Sequence, residues 1–481
     1  MKKYYFIIIV FFATNLLYAQ YPPETTFNAT IAVNALPKPN YLQTINDPEH
    51  HVNITRISDP TVFNLPVTAG GLNHQYSKIQ AWNADMSKIA IGFRNILNAS
   101  DYTLIKQLSI PFSGGINDAR WSHTDPNKRF FCNGNNLYTI AIDSEQVTLV
   151  HTFNTLADAK IGPWEGNISA NDKYVVITNQ AANKAILYDI ELDQELANIT
   201  FNGTGFDWAS ITPWSNYIVI SNNETGHTEI YDLNFNYLRD LTDSQEHADF
   251  AIDTSGNQVY VQVIPLSMTR LDNGQTTDLI SSAMVCGNSS FNPNIAGHIS
   301  GRNLNFPGWA FVSTPQSQPC TNGQGYYTNT EVFAIKLDGS GTIMDYGYSR
   351  TSFSNYASEA KATVSPDGTK VIFTSDWNIF GDYDDNVLDY VVEYANPASV
   401  KDINLKKITI FPNPSTNNIE IDSVYPELQV AIFNKLGEKI TKLTYQKGDK
   451  INIDKLSDGI YFLKIATLKS NNYVFKKIIK Q

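Results

Sequence analysis

The pairing in this chain most able to do chemistry is His247-Ala248-Asp249. On an extended strand, residues two apart face the same side. Asp249 would then orient and charge His247 as a base, or the two would hold a divalent cation. The plainer expectation is a hydrogen bond between them that fixes a turn. Gly297-His298-Ile299-Ser300-Gly301-Arg302-Asn303 is the second candidate, with His298 as acid, base or ligand and Arg302 as an anion clamp. Its glycines let a backbone approach a bound molecule closely.

Extending the same reasoning to polar and ring residues just before each recurring strand gives two sets. The catalytic candidates are His247, His298, Arg302, Arg350 and Tyr356. The ligand-binding candidates are Trp164, Asp207, Trp208, Asp249, Asn303 and Lys361, with Glu165 beside Trp164. No metal is assigned and the cofactor is left open. Asp382, Asp384 and Asp385 form an acidic loop without the twelve-residue calcium pattern, and are read as a solvated turn. Asp376-Trp377 is read as structural, its carboxylate capping the next turn. There is no Gly-x-Ser-x-Gly elbow, no His-Glu-x-x-His helix and no Walker loop. Common hydrolase, metalloprotease and nucleotide-dependent classes lose support.

These residues need elements to bring them together, and the chain supplies a repeat. A polar turn followed by β-branched and aromatic residues recurs at Trp82–Ile91, Trp121–Phe131, Ile168–Ile177, Ile211–Ile220, Ile252–Val261 and Val364–Phe373. Early copies lie roughly 40 to 47 residues apart, the span of one four-stranded propeller blade. Aromatics make up 12% of the chain, and no stretch after residue 20 keeps a helical period. The fold class is therefore all-β: a β-propeller of about seven blades over residues 20–396, in which distant loops meet at a channel mouth. The Ser365-Pro366-Asp367-Gly368 hairpin resembles the repeat of TolB-type and other WD40-like propellers. That resemblance implies the fold and leaves the chemistry open.

The ends are a different matter. Lys2 and Lys3, an apolar run, and Leu17-Tyr18-Ala19 read as a signal peptide over residues 1–19. No later segment is apolar enough to span a bilayer, so no transmembrane span is expected in the mature chain. After a linker at 397–406, residues 407–481 carry short alternating strands that predict a small β-sandwich. Ile408-Thr409-Ile410-Phe411-Pro412-Asn413-Pro414, Val430-Ala431-Ile432-Phe433-Asn434-Lys435-Leu436-Gly437 and Leu456-Ser457-Asp458-Gly459-Ile460-Tyr461 make this tail resemble the type A sorting domain of the type IX secretion system. The resemblance implies handling by the type IX machinery, and a protein that is secreted or held at the outer-membrane surface.

Net charge is −12, unevenly spread. From Lys406 onward there are 13 lysines against 7 acidic residues, so the body is strongly acidic and nucleic acid is excluded as a partner. Cys132, Cys286 and Cys320 are an odd number without metal spacing; one bridge, Cys286 to Cys320, is permissible in an exported chain. Two functions fit. The first is a propeller that binds an extracellular glycan or protein at its channel mouth. The alternative is a polysaccharide lyase on uronic-acid polymers, with His/Tyr acid–base chemistry and an Arg or a metal to neutralise the carboxylate.

Overall fold

The computed structural model describes residues 21–27, 33, 35–64, 72–109, 118–163, 165–245, 247–281, 297–315, 330–352, 356–378, 387–395, 408–423, 425–435, 439–467 and 473–481. The signal peptide, the linker, Trp164, Cys286, Cys320 and the acidic triplet at 382–385 lie outside them. The chain divides into two compact units, one spanning Gln20–Tyr394 and the other containing Ala395–Gln481.

The first unit is a seven-bladed β-propeller. Its described strands form seven antiparallel sheets, each beginning at an inner strand and stepping outward. The local cause is a hairpin turn repeated in different residues. In Ser365-Pro366-Asp367-Gly368, Gly368 N donates to Ser365 O at 2.9 Å and Lys370 N to Ser365 Oγ at 3.0 Å, with Gly368 at φ +74°. Asn83 accepts from Met86 N and, through Oδ1, from Lys88 N; Met86 takes the left-handed position at φ +59°. Ser169 and Tyr174, Thr212 and Tyr217, and Asp253 and Asn257 repeat the arrangement. In each, a short polar side chain accepts an N–H that the sharp turn leaves unpaired.

The inner strands include Ala119–Trp121, Lys160–Ile161, Phe206–Ile211, Ala248–Ile252, His298–Ser300 and Thr363–Val364. In the first blade a single bridge from Trp82 to Ile89 stands in for one. Neighbouring inner strands approach closely: a Cβ added to Gly301 would lie 2.0 Å from Phe250 O.

The ring is closed by the front of the chain. Val52–Arg56 pairs antiparallel with Leu388–Tyr394, and Thr44–Asp47 adds a further strand outside it. The seventh blade is thus built from both ends of the propeller sequence. Glu24–Thr26 similarly caps the sixth blade by pairing with Thr342–Tyr348. One apolar cluster runs through the sixth, seventh and first blades, including Phe311, Val371, Val391, Ile54, Ile89 and Trp82.

The second unit is the expected small sandwich. One sheet holds Thr409–Phe411, Asn418–Asp422 and Ile451–Asn452; the other holds Lys439–Gln446, Glu427–Phe433, Gly459–Thr467 and Tyr473–Lys480. Alternate residues Leu428, Val430 and Ile432 turn inward with Ile419, Ile421, Leu463 and Ile465, as a half-buried strand requires.

Candidate functional site

The stretches that lead into the inner strands converge on one mouth of the channel. His247 and His298 lie ring to ring there, with centroids 4.4 Å apart and planes tilted by 35°. Tyr76, which leads into the first blade, places its hydroxyl 2.7 Å from His247 Nδ1 and packs edge-on against His298 with centroids 5.4 Å apart. Lys361 lies over the Tyr356 ring at 3.5 Å, and Lys78 over the Trp208 ring at 3.7 Å while pairing with Glu165 at 2.6 Å. Glu359 Oε2 stands 3.3 Å from His298 Nε2, inside ion-pair range though off hydrogen-bond geometry.

Burial sets the charges. It lowers His298 well below the ordinary imidazole, and His247, Lys361 and His74 push the same way. It lowers Lys361 to about 8, against the pull of Glu359 and Asp389. It raises Glu359, with Lys361 opposing, and raises Asp207, with Glu165 adding and Lys78 and His247 opposing. It also raises Tyr76, so that phenol stays a proton donor. The mouth therefore offers neutral imidazole, phenol and an amine whose charge changes near the alkaline edge of physiological pH. Among the described residues no group of three or more His, Cys, Asp or Glu is placed to hold a metal ion.

Of the residues expected from sequence, His247, His298, Tyr356, Asp207, Trp208 and Lys361 gather at this mouth, and Glu165 joins them. Asp249 does not act on His247 in the way its spacing suggests. Its carboxylate, 1% exposed, accepts from Arg302 Nε at 2.8 Å, Arg302 Nη2 at 2.5 Å and Gly301 N at 2.8 Å. Both the base-orienting and the turn-holding expectations give way to an ion pair between blades. That pair turns Arg302 away from the two histidines. Arg350 is likewise buried, donating to Asp47 Oδ2 at 2.7 Å in the strand outside the closing one, with the Trp377 ring 5.5 Å away. Neither guanidinium joins the cluster. Asn303 fixes a turn by donating to Phe306 O and Trp309 O. Asp376 accepts from Ser352 N and Asn378 N, the structural role its position suggested.

Tyr76, Lys78 and Glu359 escaped the sequence reading, as did His74, whose ring joins Asp389 at 2.8 Å and the Lys361 carbonyl at 2.7 Å. The first recognisable turn begins at Trp82, so the residues before it were not seen as the lead-in to an inner strand. The alternation of Tyr76, Lys78 and Gln80 with Ile79 and Ala81 was the available signal.

Residues 409–481 match the family model of the secretion system C-terminal sorting domain. The C-terminal unit is a type IX sorting domain. A chain that carries a sorting domain is secreted or attached to the cell surface by type IX secretion. No helix among the described residues is long and apolar enough to cross a membrane. No curated protein matches the chain. Among solved structures, an oligogalacturonate lyase from Vibrio parahaemolyticus is similar at 12% identity and a TM-score of 0.50, covering 78% of this chain and 98% of its own. A chain of the mitotic checkpoint complex is similar at 11% identity and a TM-score of 0.44, covering 76% and 97%. The likeness to the lyase concerns the propeller fold alone.

Proposed function

We propose that the propeller is the exported cargo of its sorting domain and binds an extracellular glycan at the mouth formed by Tyr76, His247, His298, Tyr356 and Lys361. One observation carries this reading. Tyr356 is 63% exposed beside a cluster of imidazole, phenol and amine groups. An exposed ring gives the apolar face of a sugar a surface to lie on, and the neighbouring donors meet its hydroxyls. The test is a glycan array probed with the wild-type protein and Tyr356→Ala. Selective binding that falls at least about tenfold in the variant, or about 1.4 kcal/mol, supports the reading. Binding to no glycan, or binding that ignores Tyr356, removes it.

A second reading is favoured by the Tyr76–His247 contact. A phenol and an imidazole 2.7 Å apart, with a second imidazole beside them, are the groups a polysaccharide lyase uses. On a uronic-acid polymer, a base takes the proton alpha to the carboxylate, the bond to the leaving sugar oxygen breaks, and an acid returns a proton to that oxygen. The new double bond stays in the product. His247 or His298 would be the base and Tyr76 or Tyr356 the acid. Lys361 replaces Arg302 and Arg350 as neutraliser of the carboxylate, because both guanidiniums are committed elsewhere. The fold shared with an oligogalacturonate lyase adds only a general prior. Ultraviolet absorbance from unsaturated uronate, lost in His247→Ala and His298→Ala, separates this reading from binding alone.

A further inference from the structure

We propose that the opposite end of the propeller channel is a second and separate binding site, which takes a small carboxylate-bearing molecule on Arg302. A cavity of about 120 Å³ lies there, lined by Gln80, Trp82, Trp121, His123, Arg302 and Asn305, among others. The last three follow the inner strands of their blades, whereas His247, His298 and Lys361 precede or open theirs. Inner strands of a propeller run in one direction, so these two sets face opposite ends. Gln80 separates them: its Nε2 donates to Arg302 O and Val364 O, each at 3.1 Å, drawing the first blade onto the sixth and seventh across the channel.

Arg302 supplies the recognition. It is 2% exposed, and Asp249 occupies its Nε and Nη2. Among the described residues nothing accepts a hydrogen bond from its Nη1, although a guanidinium carries two N–H donors there. Nη1 is not sealed off as Arg129 Nε is, so its donors open on the cavity, where a charge-assisted hydrogen bond is about twice as strong as a neutral one. The wall behind the cavity adds positive charge. Arg129 lies 5.1 Å from the Trp121 ring, is 1% exposed, and donates to Phe93 O and Gln75 Oε1 rather than to any described carboxylate. On the His123 side Asp172 supplies an opposing charge. Its oxygens accept from Ser122, from the backbone N–H of His123 and from Thr124, which turns the carboxylate toward that turn while leaving its negative charge in place. The space equals roughly four waters at about 30 Å³ each, which admits a molecule of a few non-hydrogen atoms.

Isothermal titration of the full chain with acetate and propionate, and with glycerol as the neutral probe, tests this at constant ionic strength. Saturable binding of a carboxylate is expected at about 1 mM or tighter. Glycerol should give none. Asn305→Asp places a negative charge on the exposed rim without disturbing the core, and should weaken carboxylate binding at least about tenfold at an unchanged melting temperature. Absence of saturation by either carboxylate overturns the proposal. So does glycerol binding as tightly as acetate, or an Asn305→Asp protein that binds acetate like wild type. Acetate binding abolished by Lys361→Met would place the anion at the other mouth and overturn it as well.

Discussion

His247 and His298 belong to different blades, and their rings meet at 4.4 Å only because the strands beginning at Ala248 and His298 are neighbours on the channel wall. Two imidazoles so placed cannot both be protonated cheaply, and His298, the more buried, is the one that stays neutral.

Acid stability follows from that. His298 has a folded pKa below its unfolded value, so under acid the unfolded chain binds a proton that the folded chain does not. The resulting loss of stability begins near pH 6.5 and grows as pH falls, reaching up to about 2 kcal/mol at pH 5. Urea denaturation of His298→Phe should show a flatter dependence between pH 7 and pH 5 than wild type. A parallel dependence would mean that His298 charges as easily in the folded state.

Lys361 works in the alkaline range. With its folded pKa at about 8, against an ordinary 10.5, the folded protein has lost a proton that the unfolded chain still holds between those values. Stability contributed by this group therefore rises with pH across that window. Glycan binding that depends on its charge should fall over the same range, with a midpoint near 8 that is absent in Lys361→Met. Titration of the lysine side chains by NMR would locate the midpoint directly.

The Asp249–Arg302 pair should behave as a buried unit. Asp249→Leu or Arg302→Met alone leaves a charge stranded and should cost about 3–5 kcal/mol. The double replacement should recover much of that loss. A double-mutant cycle from denaturant unfolding measures the recovery, and simple additivity would contradict the geometry.

Gly301 has no room for a side chain. A methyl there would meet Phe250 O at 2.0 Å, too close for any rotation to relieve. Gly301→Ala should destabilise the propeller by about 1–3 kcal/mol. Because the fifth and sixth inner strands must part to admit it, the same variant should weaken whatever binds at His247 and His298. Stability near that of wild type would show that the strands have slack.

The fold could be read from the chain because its turns announce themselves. Ser365-Pro366-Asp367-Gly368 and its degenerate copies carry the side-chain acceptors and left-handed positions that a hairpin needs, and spacing alone then suggests blades. The sorting domain was legible for a similar reason, in short apolar alternation between turn residues. The site was half legible. His247, His298, Tyr356 and Lys361 lie just before or at the start of inner strands, which is a sequence property. Whether Arg302 and Arg350 face ligand or carboxylate is not, since Asp249 and Asp47 reach them only through tertiary packing, one across blades and one across the whole length of the propeller. Spacing placed Asp249 on the face of His247 but could not rank Arg302 above it as a partner.

The strand Val52–Arg56 lies between Leu388–Tyr394 and Thr44–Asp47. An early-synthesised segment therefore stays without its inner neighbour until the last blade arrives. A chain without its last blade can stack the others but cannot seal the circle, and its unpaired strand edges stay open. The lock engages only when the last blade, Thr363–Tyr394, is present to take the early strand, so a propeller short of its end keeps its first strand unsealed.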